Sequence, residues 1–281
     1  MNFIYSILDA ILPFEWIEST FMKNALLAVI FACPLFGTLG TVVVSNRMSF
    51  FSDAIGHSAL TGIAIGVLFG IKEPTIAMVL FALLLGFAII TVKIKGNSSA
   101  DTIIGVFSST SVALGIVLLS ATGNFAKYQK YLVGDILSIT PFEILCLFFS
   151  CVLLLAVWII FYNQMLLTNL HSTFAKSRGI KTFLMEQIFA LLTAVIVTIS
   201  IRWTGLLVIN SMLVLPAAAS KMISRTSRQY MSFSILISFI SGIFGLILSY
   251  YIGSASGATI VLANAVLFIA CLIFSMIHKT N

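Results

Sequence analysis

The sequence predicts an all-α membrane protein, a polytopic bundle of eight or nine transmembrane helices. Of its 281 residues, 60% are hydrophobic and only 9% are charged, and the mean hydropathy is +1.15. A soluble domain is about 45–50% apolar and about 25% charged, so this chain has too few polar side chains to cover itself in water. Its apolar runs are continuous, whereas the strands of a membrane β-barrel alternate apolar and polar residues. These observations exclude a soluble enzyme and a protein with a single membrane anchor.

Residues 1–21 are predicted to form a short amphipathic segment that lies in the membrane interface. Apolar residues such as Ile7 are interleaved there with acidic residues such as Asp9, and Pro13 interrupts the apolar run. No Lys or Arg precedes the apolar residues, which argues against a secretory signal. We therefore separate this segment from a single transmembrane domain, which we expect to cover residues 22–281.

Nine apolar runs follow, and most are close to the length of about 20 residues that a spanning helix needs. The seventh run is the shortest and contains Pro216, so a broken or half helix is the alternative there. In that case eight full spans remain. The runs lie at residues 24–45, 54–71, 74–92, 102–121, 142–162, 184–201, 205–220, 231–252 and 257–277.

Lys and Arg are unevenly distributed between the two sides of this predicted bundle. Ten lie on one side, namely Arg47, Lys93, Lys95, Lys176, Arg178, Lys181, Lys221, Arg225, Arg228 and Lys279, and five lie on the other, namely Lys23, Lys72, Lys127, Lys130 and Arg202. Cytoplasmic loops carry the excess of cations, which predicts an N-terminus outside and a cytoplasmic C-terminus. The net charge of +6 is then explained by topology and by contact with anionic lipid, without a nucleic-acid partner.

Two ionisable residues at the start of the second run are the candidates for a metal site. Asp53 and His57 are four residues apart, which places them on one face of a helix. An ionisable side chain within a span is expensive to bury and marks a functional site by default. A carboxylate and an imidazole that face one cavity suit a divalent cation such as zinc or manganese. The structural alternative is that the two side chains bond to each other and hold a helix end.

The sequence contains no GxxxxGK[ST] motif, so the chain is not expected to bind ATP through a P-loop. It also has no HExxH and no GxSxG. We therefore expect a transport subunit rather than an enzyme. If transport is energised, the energy comes from another polypeptide or from an ion gradient.

The stretch from Arg47 to Gly62, RMSFFSDAIGHSALTG, resembles a motif of the membrane permeases of bacterial ABC importers for manganese, zinc and iron. Further stretches at residues 101–105, 131–137, 175–179 and 205–218 are similar to that family in order and spacing. The resemblance extends over nearly the whole chain.

This resemblance implies a multi-pass protein of the bacterial cytoplasmic membrane. It implies a permease core made of two copies of the chain, two cytoplasmic ATP-binding subunits and an extracytoplasmic metal-binding lipoprotein. In the family the Asp and His of the second helix face the translocation path, and these correspond to Asp53 and His57. The cation is then a transported substrate, zinc or manganese with iron as a further choice, and no cofactor is bound permanently.

Coupling to an ATPase is expected in the basic loops. We predict a short helix along the membrane surface within the stretch from Pro216 to Arg228. A secondary contact is expected at Ala175 and Gly179, in the basic loop 163–183, which is also long enough to carry a short surface helix. The alternative is that the cations there only follow the positive-inside rule. The residues predicted to couple in this stretch are Pro216, Ala217, Ala218, Ala219, Lys221, Arg225 and Arg228.

Two other classes of function compete with an ABC permease. An ATP-independent secondary transporter or channel predicts inverted repeats and several intramembrane carboxylates, and no internal repeat is evident in the sequence. An intramembrane enzyme would have to draw its nucleophile and base from the single Asp53 and His57 pair. Both alternatives have less support than the permease.

Overall fold

The computed structural model describes residues 5, 6, 8, 15–71, 73–121, 123, 134–170 and 172–279, and across these residues it has no β-strand. The all-α prediction is confirmed. Most of the predicted interfacial segment, together with Lys72, Lys127 and Lys130, lies outside the described residues. The helices with described bounds are α1 (Thr20–Ser45), α2 (Phe51–Leu68), α3 (Pro74–Lys95), α4 (Ala100–Ala121), α5 (Pro141–Leu170), α6 (Ser172–Ser177), α7 (Thr182–Thr204), α8 (Leu206–Ile223), α9 (Ser227–Ile252) and α10 (Ser256–Lys279).

Within the described ranges, nine helices are long and apolar enough to cross a membrane, all of the ten except the short α6. The seventh predicted run is the continuous helix α8, and Pro216 lies inside it without ending it. The structure thus favours nine spans over the alternative of eight. A proline inside a span is tolerated where neighbouring groups satisfy the freed carbonyl.

Helix α5 is longer than the run that predicted it. It continues beyond residue 162 to Leu170, because polar Gln164 and Thr168 extend the helix instead of ending it. The Thr168 hydroxyl donates to the Gln164 carbonyl at 2.8 Å, a bond within the helix that satisfies the side chain. The predicted loop 163–183 is therefore mostly helical, since α6 follows at once.

The chain divides into two compact units that alternate along the sequence. The first unit comprises residues 1–41, 134–152 and 203–281, and the second unit comprises residues 42–133 and 153–202. Helices α1, α5 and α7 contribute residues to both.

The first unit is built by close approaches of small residues. A Cβ on Gly40 would lie 1.9 Å from the Leu213 carbonyl oxygen, so α1 packs against the backbone of α8. A neutral polar contact joins two helices of this unit: Ser241 donates to the Asn264 side-chain oxygen at 2.7 Å. Small residues and interhelical hydroxyl bonds are the usual means of joining helices in lipid.

The second unit is organised around α2, which packs against α3 and α4. A Cβ on Gly62 would lie 2.6 Å from the Met78 Cα of α3, and one on Gly115 of α4 would lie 2.8 Å from the Thr61 backbone nitrogen. The Thr61 hydroxyl also donates to the Ser111 carbonyl of α4. These contacts fix the orientation of α2, the helix that carries both predicted metal ligands.

Candidate functional site

The candidate site begins with the turn that leads into α2. After α1 ends at Ser45, Arg47 takes the left-handed conformation with φ 54°, which is uncommon for a residue other than glycine. The Met48 N–H returns to the Val43 carbonyl at 3.0 Å, and the Met48 side chain is only 2% exposed. Helix α2 then starts at Phe51 and places Asp53 in its first turn, where the helix dipole stabilises an anion.

Asp53 and His57 lie side by side on α2, as their spacing predicts. The distance from Asp53 Oδ1 to His57 Nε2 is 3.5 Å, and each side chain is 40% exposed. Between Phe51 and Ala64 these two are the positions that are not buried. A helix packed almost all round thus leaves open one narrow face, and that face carries a carboxylate and an imidazole.

In a single chain, Asp53 and His57 supply too few ligands to complete the coordination shell of a metal ion. Among the residues that the structure describes, no group of three or more His, Cys, Asp and Glu side chains is close enough to hold a metal ion. A divalent transition metal in protein binds four or more ligands in most sites. Any ion bound at Asp53 and His57 therefore takes its remaining ligands from water or from another chain.

Two other acidic residues that precede or begin α5 serve as helix caps. The Asp135 carboxylate accepts the Leu137 N–H at 3.0 Å. The Glu143 carboxylate accepts both the N–H and the hydroxyl of Thr140 at 2.8 Å. Side-chain oxygens at such positions satisfy backbone donors that have no partner within the helix.

Sequence reasoning missed one charged pair. Lys93 near the end of α3 and Glu186 near the start of α7 form an ion pair at 2.8 Å, with the two side chains 20% and 18% exposed. Glu186 lies inside an apolar run, whereas Lys93 follows the end of another run. The two residues are far apart in the sequence, so no local pattern contains both. The signal was present in Glu186 itself, an acidic residue in a predicted span that calls for a partner.

The predicted coupling helix after the seventh run is wrong as a separate element. Residues 216–223 belong to α8, residues from Ser227 onward belong to α9, and the turn Ser224–Thr226 joins the two. The Thr226 hydroxyl accepts the Gln229 N–H at 3.2 Å and caps α9. The prediction failed because a proline favours the end of a helix, whereas α8 continues through Pro216.

The predicted coupling residues divide by exposure. Pro216, Ala217 and Ala219 are buried within the chain and Ala218 is partly exposed, whereas Lys221, Arg225 and Arg228 are exposed. Two of the three alanines are therefore occupied by packing within this chain. A Cβ on Gly40, for example, would lie 3.2 Å from the Ala217 Cβ.

The secondary coupling site lies at the short helix α6. Ala175 is fully buried, and its carbonyl accepts the Ile180 N–H at 3.1 Å. Gly179 has φ 77°, and a Cβ there would meet nothing within 4 Å. The glycine thus permits the sharp reversal into α7. A short helix thus lies within the basic loop 163–183, which the sequence identifies as long enough to carry one.

Comparison with known proteins adds to this geometry. The model of the ABC 3 transport family matches residues 18–275. The chain belongs to the ABC 3 transport family. This membership, with nine candidate spans, supports the multi-pass permease over the ATP-independent carrier.

Named relatives cover nearly the whole chain. The chain is 32% identical over 249 residues to the high-affinity zinc uptake system membrane protein ZnuB of Haemophilus influenzae, covering 88% of this chain and 95% of that protein. It is 30% identical over 251 residues to the manganese import system permease protein ScaB of Streptococcus gordonii, covering 89% of each. It also resembles the solved structure of PsaBC from Streptococcus pneumoniae in complex with Fab, with TM-score 0.77, 27% identity and coverage of 96% and 95%.

Proposed function

We propose that this chain is the membrane-spanning subunit of an ABC importer that moves a divalent transition metal, zinc or manganese, into the cytoplasm. The observation that carries the proposal is the half-exposed Asp53 and His57 pair on the otherwise packed start of α2. The names of the zinc and manganese relatives support the substrate class. Iron remains a third substrate to be tested beside them.

The pair has the chemistry of a transit site. Carboxylate oxygen and imidazole nitrogen bind zinc, and carboxylate also suits manganese, whereas thiolate would favour tight and selective binding of soft metals. A transporter has to release its substrate, so a site without thiolate is appropriate. With Asp53 and His57 from a second copy, two oxygens and two nitrogens would surround one ion.

The incomplete coordination shell supports a functional unit with two copies of the chain. Closed two-fold symmetry is the commonest form of oligomer, and it would bring equivalent α2 faces together. In this assembly the open face of α2 is directed to the translocation path. We therefore propose a homodimer of the chain in the bacterial cytoplasmic membrane.

The driving subunits are separate polypeptides. We propose that two ATP-binding subunits dock on the basic side, that an extracytoplasmic lipoprotein delivers the metal, and that the N-terminus lies outside and the C-terminus inside, as the distribution of Lys and Arg predicts. The exposed Lys221, Arg225 and Arg228 and the partly exposed Ala218 support docking at the end of α8 and the turn after it. Exposed Gly179 supports the second contact at α6, where the buried Ala175 packs the short helix against the rest of the chain.

The test is reconstitution of the chain with its ATPase and lipoprotein in liposomes. Uptake of zinc, manganese and iron and metal-stimulated ATP hydrolysis are measured in parallel for the wild type and for Asp53→Asn and His57→Gln. We expect uptake of one of these metals by the wild type and its loss in both variants, with assembly of the complex unchanged.

Asp101→Asn is the matched control, because Asp101 is exposed in the first turn of α4. It should transport as the wild type does. Wild-type rates of uptake in both α2 variants would mean that the pair only holds the helix start. A wild-type complex that moves none of the three metals would refute the proposed function itself.

A further inference from the structure

Within the second unit a charged pair joins two helices that flank the start of α2. Lys93 Nζ of α3 lies 2.8 Å from Glu186 Oε2 of α7, and both side chains are mostly buried. Each of these charges is stabilised by its partner, and removing one partner would leave the other charge buried and uncompensated. The pair therefore fixes the end of α3 against the beginning of α7.

Lys93 also contacts the turn that precedes α2. Its Nζ lies 3.5 Å from the Met48 sulfur, and Met48 is the buried residue of that turn. Since Met48 is five positions before Asp53, the ammonium group links α7, through Glu186, to the segment that sets the position of the metal pair.

The residue that follows Glu186 makes further contacts between the same two helices. The Gln187 amide of α7 donates to the Phe87 carbonyl at 3.2 Å and to the Thr91 hydroxyl at 3.1 Å, both on α3. A Cβ on Gly86 would lie 3.6 Å from both the Phe51 ring and the Ala194 Cβ. The first residue of α2 thus packs where α3 and α7 meet.

Helix α7 begins directly after the short helix α6 and its Gly179 turn. The Met185 N–H donates to the Lys181 carbonyl at 3.1 Å, so Glu186 belongs to the first turns of α7. Only residues 178–181 separate α6 from α7, so the connection between α6 and the turn that carries Glu186 is short.

We propose that Lys93 and Glu186 are positioning residues that couple movement at α6 and α7 to the Asp53 and His57 pair on α2. The proposal rests on the proposed function, because it assumes that α6 receives the motion of an ATPase. Movement of Glu186 pulls Lys93 and with it Met48, and this turns the start of α2. The ion pair acts through α2 and does not itself bind the metal.

The experiment is a double-mutant cycle read as metal transported per ATP hydrolysed. Lys93→Met and Glu186→Gln remove the two charges singly while keeping much of each side chain, and both are measured in the reconstituted complex. We expect each to lower the transported metal per ATP by about 2-fold to 30-fold, the range found along coupling networks, while ATP hydrolysis continues. The double variant should lose no more than either single variant.

Matched controls separate coupling from a general loss of charge. Lys95→Met removes an exposed cation from the same end of α3, and Glu73→Gln removes an exposed carboxylate before that helix. Both should retain the wild-type ratio. Lys93→Arg, and the exchanged pair Lys93→Glu with Glu186→Lys, should restore coupling, because each keeps opposite charges in contact.

A wild-type ratio in both single variants would overturn the proposal. Uncoupling that neither Lys93→Arg nor the exchanged pair relieves would overturn it as well, because charge pairing would then not be the cause. If the single variants do not accumulate, the exchanged pair decides: it should accumulate and couple. Absence of metal uptake by the wild-type complex is a different result, which refutes the proposed function before any variant is compared.

Discussion

The face of α2 that carries Asp53 and His57 and the turn that joins α8 to α9 were both predicted as functional regions, and they differ in how they are built. On α2 the two side chains lie 3.5 Å apart, as helical spacing requires. At the other region the residues from Pro216 to Arg228 are divided among α8, the turn Ser224–Thr226 and α9. The residues of a site on one helix face can therefore be predicted from their spacing in the sequence. The residues of a site in a connection can be placed only when the ends of the neighbouring helices are known.

Burial also separates the residues within each region. On α2 the ionisable residues Asp53 and His57 are the partly exposed ones in a buried stretch. At the end of α8 the small residues Ala217 and Ala219 are buried and the cations are exposed. Substitutions should therefore act through metal binding in the first region, and through either folding or docking in the second.

The largest effect is expected from removal of a metal ligand. Asp53→Ala or His57→Ala should lower metal uptake by at least about 100-fold, since even groups that only orient a ligand are worth about 10–100-fold. The measurement is initial uptake by the reconstituted complex, with ATPase assembly followed by gel filtration. If both variants take up metal within twofold of the wild-type rate, the α2 face is not a metal-binding site.

The next effect is on folding, at the alanine that faces the interior. Ala217→Leu should destabilise the chain by about 1–3 kcal/mol, because extra methylenes in a packed site force neighbours apart, and Ala217 is fully buried beside Gly40. Thermal unfolding in detergent, with the yield of monodisperse protein, measures this. A variant as stable as the wild type would show that the interface of α1 and α8 is loosely packed.

The adjacent Ala218 should behave differently, since it is partly exposed. Ala218→Leu should leave thermal stability within about 0.5 kcal/mol of wild type, as surface substitutions do, while it reduces metal-stimulated ATP hydrolysis. The ratio of metal-stimulated to basal ATPase activity is the readout, and Ala217→Leu is its buried counterpart. Unchanged stimulation would indicate that the end of α8 is not a docking surface.

The smallest effect is expected from the cations of the second region. Lys221→Gln, Arg225→Gln or Arg228→Gln should each weaken ATPase binding by about fivefold or less, because an exposed ion pair contributes about 0–1 kcal/mol. Titration of purified ATPase at low and high salt measures this. If all three variants bind the ATPase with the wild-type affinity, and this affinity does not depend on salt, these cations act only in setting the membrane topology.

The sequence predicts the spans well because hydropathy records burial in lipid, and the largest error is at the end of α5, which continues to Leu170. It predicts the Asp53 and His57 contact because both residues belong to one helix. It could not predict the Lys93 and Glu186 pair, whose partners are 93 positions apart and meet only after α3 packs on α7. Nor could it show that the hydroxyl of Ser99 is the group that accepts the Thr102 N–H at the start of α4, since several polar residues stand there.

The half-exposed carboxylate and imidazole on α2 also bear on how the protein is made. A charged side chain within a span is costly where it faces lipid, so a newly inserted chain carries this penalty until another surface covers the pair. We therefore expect the chain to accumulate in cells to a higher level when it is synthesised together with its partners than when it is expressed alone.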